Sequence, residues 1–189
     1  MNNIVEIKKS LKNIYNFSGE QLETFYSKLI SKKLDKKEYL LKPFQKCNFM
    51  AFICKGSFRF YSIRDTDEPT LNFFTENCWV ADYESILTQQ DTKNYLQAVE
   101  DSEVKIISLD DIHVLIEQFP EFKILASLMN KWIIPSSHFI SISNSSPDDR
   151  YIKLLKEHPE WINRFPQMYI ASYLGMTKET FSRVKSRMR

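Results

Sequence analysis

Ile170-Ala171-Ser172-Tyr173-Leu174-Gly175-Met176-Thr177-Lys178-Glu179-Thr180-Phe181-Ser182-Arg183 is the stretch from which the fold is read most directly. Ile170 and Leu174, four residues apart, share one face of a helix, and Ala171 is small enough for a second helix to cross closely. Gly175 stands where the first helix must stop and turn back through a left-handed backbone conformation. Thr177 then supplies a capping hydroxyl for a second helix. Pro166, just upstream, sits at the start of the first helix, where its missing N–H costs nothing. At ~100° per residue, Phe181, Val184 and Met188 fall within one arc of ~60°. Lys178, Glu179, Ser182, Arg183, Ser186 and Arg187 fill the opposite half. The expectation is a helix, a glycine turn and a second helix with one buried stripe and one wet, charged face.

Charge gathers around this stretch. Residues 1–146 hold 17 Lys/Arg against 19 Asp/Glu, whereas residues 147–189 hold nine against five. From Arg164 onward there are six basic residues and a single acid, Glu179. A compact basic module on a near-neutral body is the electrostatic footprint of nucleic-acid binding. A helix whose wet face mixes Lys, Glu, Ser and Arg near its N-terminus has the donor and acceptor types that reading a DNA major groove requires. One more helix, Asp148 to His158, precedes it and is stopped by Pro159.

Working back toward the N-terminus, Phe122, Leu125, Met129, Trp132, Ser136 and Phe139 step by three and four, as a coiled-coil seam does. The stripe either packs on the preceding domain or forms a dimer seam. The seam is the preferred expectation because Ile124, Leu128 and Ile133 offer further apolar surface for the domain. Pro135 is expected to kink this helix, and Ser141 to Pro147 reads as hinge and boundary. A short helix from Asp110, with Ile112, Leu115 and Ile116 on one face, should end before Pro120.

Before Asp110 the apolar period is two. Tyr39–Leu41, Phe49–Cys54, Phe58–Ile63, Thr70–Phe74, Cys78–Val80, Tyr95–Val99 and Val104–Leu109 are short runs rich in aromatic and β-branched residues, separated by polar or Gly/Pro punctuation. Their spacing predicts an antiparallel barrel or double-sheet roll, interrupted by a short helix from Asp82 to Leu87. Two helices open the chain, Ile4 to Tyr15 and Gly19 to Ile30, the second capped by Ser18.

Composition narrows the function. The chain has only three glycines, Gly19, Gly56 and Gly175, each isolated. Phosphate loops of hydrolases and dinucleotide-binding enzymes need several close together, so such an enzyme is not expected. A cupin-type enzyme would need several His and a carboxylate converging in the roll. His113, His138 and His158 all lie outside the predicted strands. Neither a cofactor nor a metal is expected. The three cysteines, Cys47, Cys54 and Cys78, lack C-x-x-C spacing. With no export signal read at the N-terminus and no apolar run long enough to span a bilayer, they read as reduced cytoplasmic thiols.

The quoted stretch resembles the helix-turn-helix of Crp/Fnr-type transcription regulators. The order upstream agrees, and Ile53-Cys54-Lys55-Gly56-Ser57-Phe58-Arg59-Phe60-Tyr61 is similar to a strand-turn-strand of that family's roll. The implied fold is α+β: a cyclic-nucleotide-binding-like antiparallel β-roll with N-terminal helices over residues 1–118, a dimerisation helix and hinge over 119–146, and an all-α helix-turn-helix module over 147–189. The resemblance implies a homodimer on double-stranded DNA with a pseudo-palindromic operator, with RNA polymerase a further candidate partner and no membrane. Lys178, Glu179 and Arg183 match the family's base-contacting positions; Thr177, Thr180, Ser182 and Arg187 are candidates for phosphate contact. Phe122, Leu125, Met129 and Trp132 are the candidate dimer seam.

The ligand site departs from the family. Cyclic-nucleotide binders of this type open their phosphate cassette with Gly-Glu and close it with Arg-Ser or Arg-Thr. The corresponding pairs here are Ala81-Asp82 and Thr92-Lys93. A lone Lys93 cannot reproduce bidentate phosphate binding by a guanidinium, so tight binding of cAMP or cGMP is not expected. Iron–sulfur sensing is not expected either, since no cysteine precedes Cys47, and no His lies in the predicted strands to ligate haem. The chain also leaves little room for the β-hairpin wing of many relatives. A roll that senses a ligand or protein partner, with the C-terminal helices making protein contacts, stays open as the alternative.

Overall fold

The helix starts follow the capping residues. Ser18 Oγ accepts from the Gln21 N–H at 3.2 Å while Gln21 Oε1 accepts from the Ser18 N–H at 2.8 Å, a complete capping box for α2 (Gly19–Ser27). The computed structural model describes residues 2–65, 67–126 and 145–188. Helix α1 (Asn2–Lys12) precedes α2 and buries Ile7 and Leu11. Both helices end earlier than the spacing predicts. Tyr15 is 41 % exposed, and Ile30 belongs to a strand.

Eight strands follow: β1 (Ile30–Leu34), β2 (Tyr39–Leu41), β3 (Phe49–Lys55), β4 (Phe58–Ser62), β5 (Thr70–Phe74), β6 (Trp79–Val80), β7 (Asn94–Ala98) and β8 (Ser102–Ser108). They form two four-stranded sheets, ordered β1-β8-β3-β6 and β2-β7-β4-β5. The double-sheet roll expected from the sequence is present, and seven of its strands fall on the predicted runs. The eighth, β1, has four exposed residues out of five and is held by antiparallel pairing to β8, Ile30 opposite Ile106 through Leu34 opposite Ser102. Backbone pairing of this kind leaves no apolar alternation to read.

Gly56 turns β3 into β4 at φ +93°, and a Cβ there would lie 2.1 Å from Ser102 Oγ and 2.8 Å from Ser102 Cα. Both the backbone conformation and the close approach require glycine.

Chain contacts divide the described residues into two compact units. The first runs from the N-terminus to Arg59 and resumes at Phe73; the second combines Phe60–Asn72 with the C-terminal helices. In the first, an aromatic cluster fills the space under the amino-terminal helices. Phe17 stacks on Phe122 at 4.6 Å, Phe25 on Phe122 at 5.8 Å, and Trp79 meets Phe52 edge-on at 5.2 Å. Helix α4 (Leu109–Gln118), capped by Ser108, closes this core with Ile112 and Leu115, and a 3-10 turn follows at Pro120–Lys123.

This packing corrects part of the seam expectation. Phe122 is 0 % and Leu125 4 % exposed within the single chain, so these two positions belong to the first unit's own core. A three-four stripe identifies an apolar face but not its partner. Met129, Trp132, Pro135, Ser136 and Phe139, with hinge positions 141–144, lie outside the described residues.

Candidate nucleic-acid interface and sensor site

The C-terminal helices are α5 (Pro147–Glu157), α6 (Trp161–Arg164), α7 (Gln167–Tyr173) and α8 (Lys178–Arg187). Ser146 caps α5 by accepting from the Asp149 N–H at 3.2 Å. Tyr151, Leu154, Trp161, Phe165, Ile170, Leu174, Phe181 and Val184 are buried. Tyr151 meets Phe181 edge-on at 5.8 Å, and Trp161 packs against Phe165 and Tyr173.

The turn between α7 and α8 is a Schellman motif. Gly175 takes φ +62°; its N–H donates to Ser172 O at 3.0 Å, and the Met176 N–H donates to Ala171 O at 2.8 Å. Arg150, to which the sequence reading assigned no role, reaches across from α5 and donates to Leu174 O at 2.5 Å and Gly175 O at 3.2 Å. A guanidinium there satisfies carbonyls that a helix end leaves without partners. No local pattern advertises a contact spanning 24 residues.

Thr177 Oγ1 accepts from the Thr180 N–H at 3.2 Å and so starts α8 where expected. Phe181 and Val184 face inward, while Thr177, Lys178, Glu179, Ser182, Arg183, Ser186 and Arg187 are exposed. Thr180 is half-buried, and Met188, expected in the buried stripe, is 40 % exposed just past the helix end. Lys178, Glu179, Ser182 and Arg183 together line one shallow open concavity. The Glu179 carboxyl is held below the usual range, first by its own backbone N–H, then by the Thr177 hydroxyl, with Lys178 and Arg183 adding attraction. It therefore remains an acceptor beside two cationic donors. Arg187 is ion-paired with Asp148 of α5, so its guanidinium is already engaged.

In the roll, the cassette positions separate. Ala81, Asp82 and Thr92 are each 4 % exposed, whereas Lys93 is exposed. Asp82 caps α3 (Tyr83–Thr88), its Oδ1 accepting from the Ser85 N–H at 3.2 Å. Its Oδ2 accepts from the Thr92 hydroxyl and from Asn94 Nδ2 at 3.0 Å. Below it, the Asp82 N–H donates to Cys47 Sγ at 3.4 Å, the Cys47 N–H to Ser85 Oγ at 3.0 Å, and Ser85 Oγ to Gln90 O at 2.6 Å. Burial pushes the Cys47 thiol up to about 11, making it a poor nucleophile. Cys78 is exposed. The sequence reading also gave no role to Arg59, 2 % exposed in β4, nor to Asn94. Among the described residues no group of His, Cys, Asp and Glu could hold a metal ion, and no helix is long and apolar enough to cross a membrane.

Residues 31–119 match the cyclic nucleotide-binding domain family, and the chain has the α+β fold of Crp/Fnr-type regulator structures, a roll followed by C-terminal helices. It is similar to FixK2 from Bradyrhizobium japonicum, with a TM-score of 0.71 at 15% identity over 85% of this chain and 84% of that one. It is likewise similar to a mutant of CooA from Carboxydothermus hydrogenoformans, with a TM-score of 0.68 at 16% identity over 94% and 82%. The c-di-GMP-responsive global regulator CLP of Xanthomonas campestris gives a TM-score of 0.67 at 14% identity over 90% and 91%. No curated protein matches by sequence.

Proposed function

We propose that the chain is a homodimeric, sequence-specific DNA-binding transcription regulator of the Crp/Fnr type, and that it does not respond to cAMP through the usual phosphate cassette. The observation that carries this reading is the exposed Lys178–Glu179–Ser182–Arg183 concavity on a helix fixed by a Schellman turn at its entry. Helix α8 enters the major groove. Arg183 and Lys178 donate to base acceptors and Glu179 accepts from a cytosine amino group, while Thr177, Thr180 and Ser182 lie along the phosphates. Arg187 joins them only by exchanging Asp148 for a phosphate. The reading divides the chain into a sensor over residues 1–118, a dimerising segment over 119–146 and a DNA module over 147–189, working in the cytoplasm with RNA polymerase as a further partner. Similarity of fold to FixK2 and CooA supports it.

Selection of genomic DNA fragments on the purified full chain, at two salt concentrations, tests it. One recurrent pseudo-palindromic sequence is expected, with affinity falling by orders of magnitude between ~50 and ~200 mM salt. A protein that retains no fragment at low salt, and instead captures protein partners, supports the alternative of a sensing module acting through protein contacts.

A further inference from the structure

Phe44 is unfavourable to the fold on two counts. It lies in the turn Lys42-Pro43-Phe44-Gln45 between β2 and β3, at φ +63°, and it is 89 % exposed. Proline followed by a residue at positive φ is the pattern of a type II turn, whose third position ordinarily holds glycine or asparagine. A Cβ is strained there, and a bulky side chain at positive φ is a true outlier. The other described non-glycine residues at positive φ, Lys37, Asp65, Asn77 and Gln89, are all polar. Among the described residues, only at Phe44 does an apolar ring take such a backbone and also face water. Strain of this kind persists where the surroundings impose it, and here they do. The Phe44 N–H donates to Thr92 O at 3.1 Å, the Thr92 N–H to Gln45 O at 2.9 Å, and the Lys42 N–H to Gln45 Oε1 at 3.3 Å. Thr92 is itself buried, with its hydroxyl bonded to Asp82. The ring thus stands on a fixed base. In the two segments so joined, 42–46 and 91–93, the exposed charges are Lys42, Lys46 and Lys93 against one carboxylate, Asp91. The Lys42 ammonium lies 4.9 Å over the Tyr39 ring.

We infer that Phe44 is the anchor of a protein-docking surface on the roll, and that its partner is an acidic protein offering an apolar pocket rimmed by carboxylates. A side chain that strains its own turn and buries little of itself has its use outside the fold. An aromatic anchor seated in a partner's pocket is how the dry centre of an interface is built. A turn already held in place loses little freedom on docking. The surplus of lysines complements carboxylates and opposes docking of a second copy of the same surface. Duplex DNA suits this surface less, since lysines alone satisfy phosphates and a ring gains contact only by unstacking a base step. The choice of RNA polymerase as the acidic partner rests on the proposed regulator reading; the reading of Phe44 as an outward anchor does not.

The test uses the full chain, immobilised without DNA, and purified RNA polymerase holoenzyme from the same organism as the probe. Phe44→Gly should melt no lower than the wild type, because relief of the left-handed backbone outweighs the added freedom of the open chain. Its affinity for the polymerase should nonetheless fall at least ~10-fold, with affinity for the selected DNA unchanged. Phe44→Tyr keeps the ring and should retain most of the binding. Lys46→Glu should weaken binding, and more so at low salt than at high. A lower melting temperature for Phe44→Gly overturns the inference, since the ring would then serve the fold. Equal polymerase binding by wild type and Phe44→Gly, or binding by neither, overturns it too. Phe44-dependent retention of a single-stranded oligonucleotide in place of the polymerase assigns the ring to base stacking and likewise overturns it. If the chain binds polymerase through Phe44 but no duplex DNA, the regulator reading falls and the docking surface stands. If it binds its DNA but no polymerase, the docking surface falls and the regulator reading stands.

Discussion

Two regions of the molecule treat charge in opposite ways. On α8, Lys178, Glu179 and Arg183 are exposed around an open concavity, and the carboxyl among them is held ionised by its own helix start and by neighbouring cations. In the roll, Asp82 is buried and its oxygens are satisfied by donors from the same chain. Groups left facing water with donors and acceptors side by side are available to a partner. Groups enclosed and fully bonded are available only to the fold. The contrast teaches that polar side chains serve a partner or the fold according to whether they are left open or bonded within the chain: in the roll, Asp82, Thr92 and Asn94 bond to one another.

Substitutions can test this contrast, since outward changes should alter binding without stability, whereas inward changes should act through stability. The largest effect is expected for Phe181→Ala. It removes a fully buried ring packed on Tyr151 and should cost ~3–5 kcal/mol, read as loss of helical signal and of DNA binding. Arg183→Ala should leave the melting temperature unchanged yet cost ~1–3 kcal/mol of DNA affinity and relax preference at one base position. A uniform loss across sequences would make Arg183 a phosphate contact instead. Gly175→Ala places a Cβ in the left-handed turn at φ +62° and should destabilise the C-terminal unit by ~1–2 kcal/mol, measurable in denaturant melts.

The smallest effect concerns Cys47. Its thiol ionises near 9 in the open chain and near 11 in the fold because burial disfavours the thiolate. The folded value is raised, so its contribution is full below pH ~9 and declines as pH climbs toward 11. Melting temperatures across that window should fall less in Cys47→Ala than in the wild type.

Much of this architecture is written locally and is legible for that reason. Ser18, Asp82, Ser108, Ser146 and Thr177 each cap the helix that follows, and the glycine turn is imposed by its own residue. What escapes a reading along the chain is long-range. The Asp82 network joins residues 10, 12 and 35 positions away, and Arg150 reaches a turn 24 residues on. Periodicity marks Phe122 and Leu125 as positions of one apolar stripe, but only the fold reveals that Phe17 and Phe25 already cover Phe122. Strand β1 and the exposed Met188 escape for the converse reason, since neither burial nor exposure there follows from hydropathy.

Strand β1 has one further consequence. Among the described residues it stands at the rim of its sheet, with only β8 beside it, so its outer backbone is a template on which another chain could zip. Lys32 and Lys33 occupy its middle, both exposed, and two strands meeting there would bring ammonium groups face to face. The residues that hide β1 from pattern recognition also disfavour its pairing with a second edge strand.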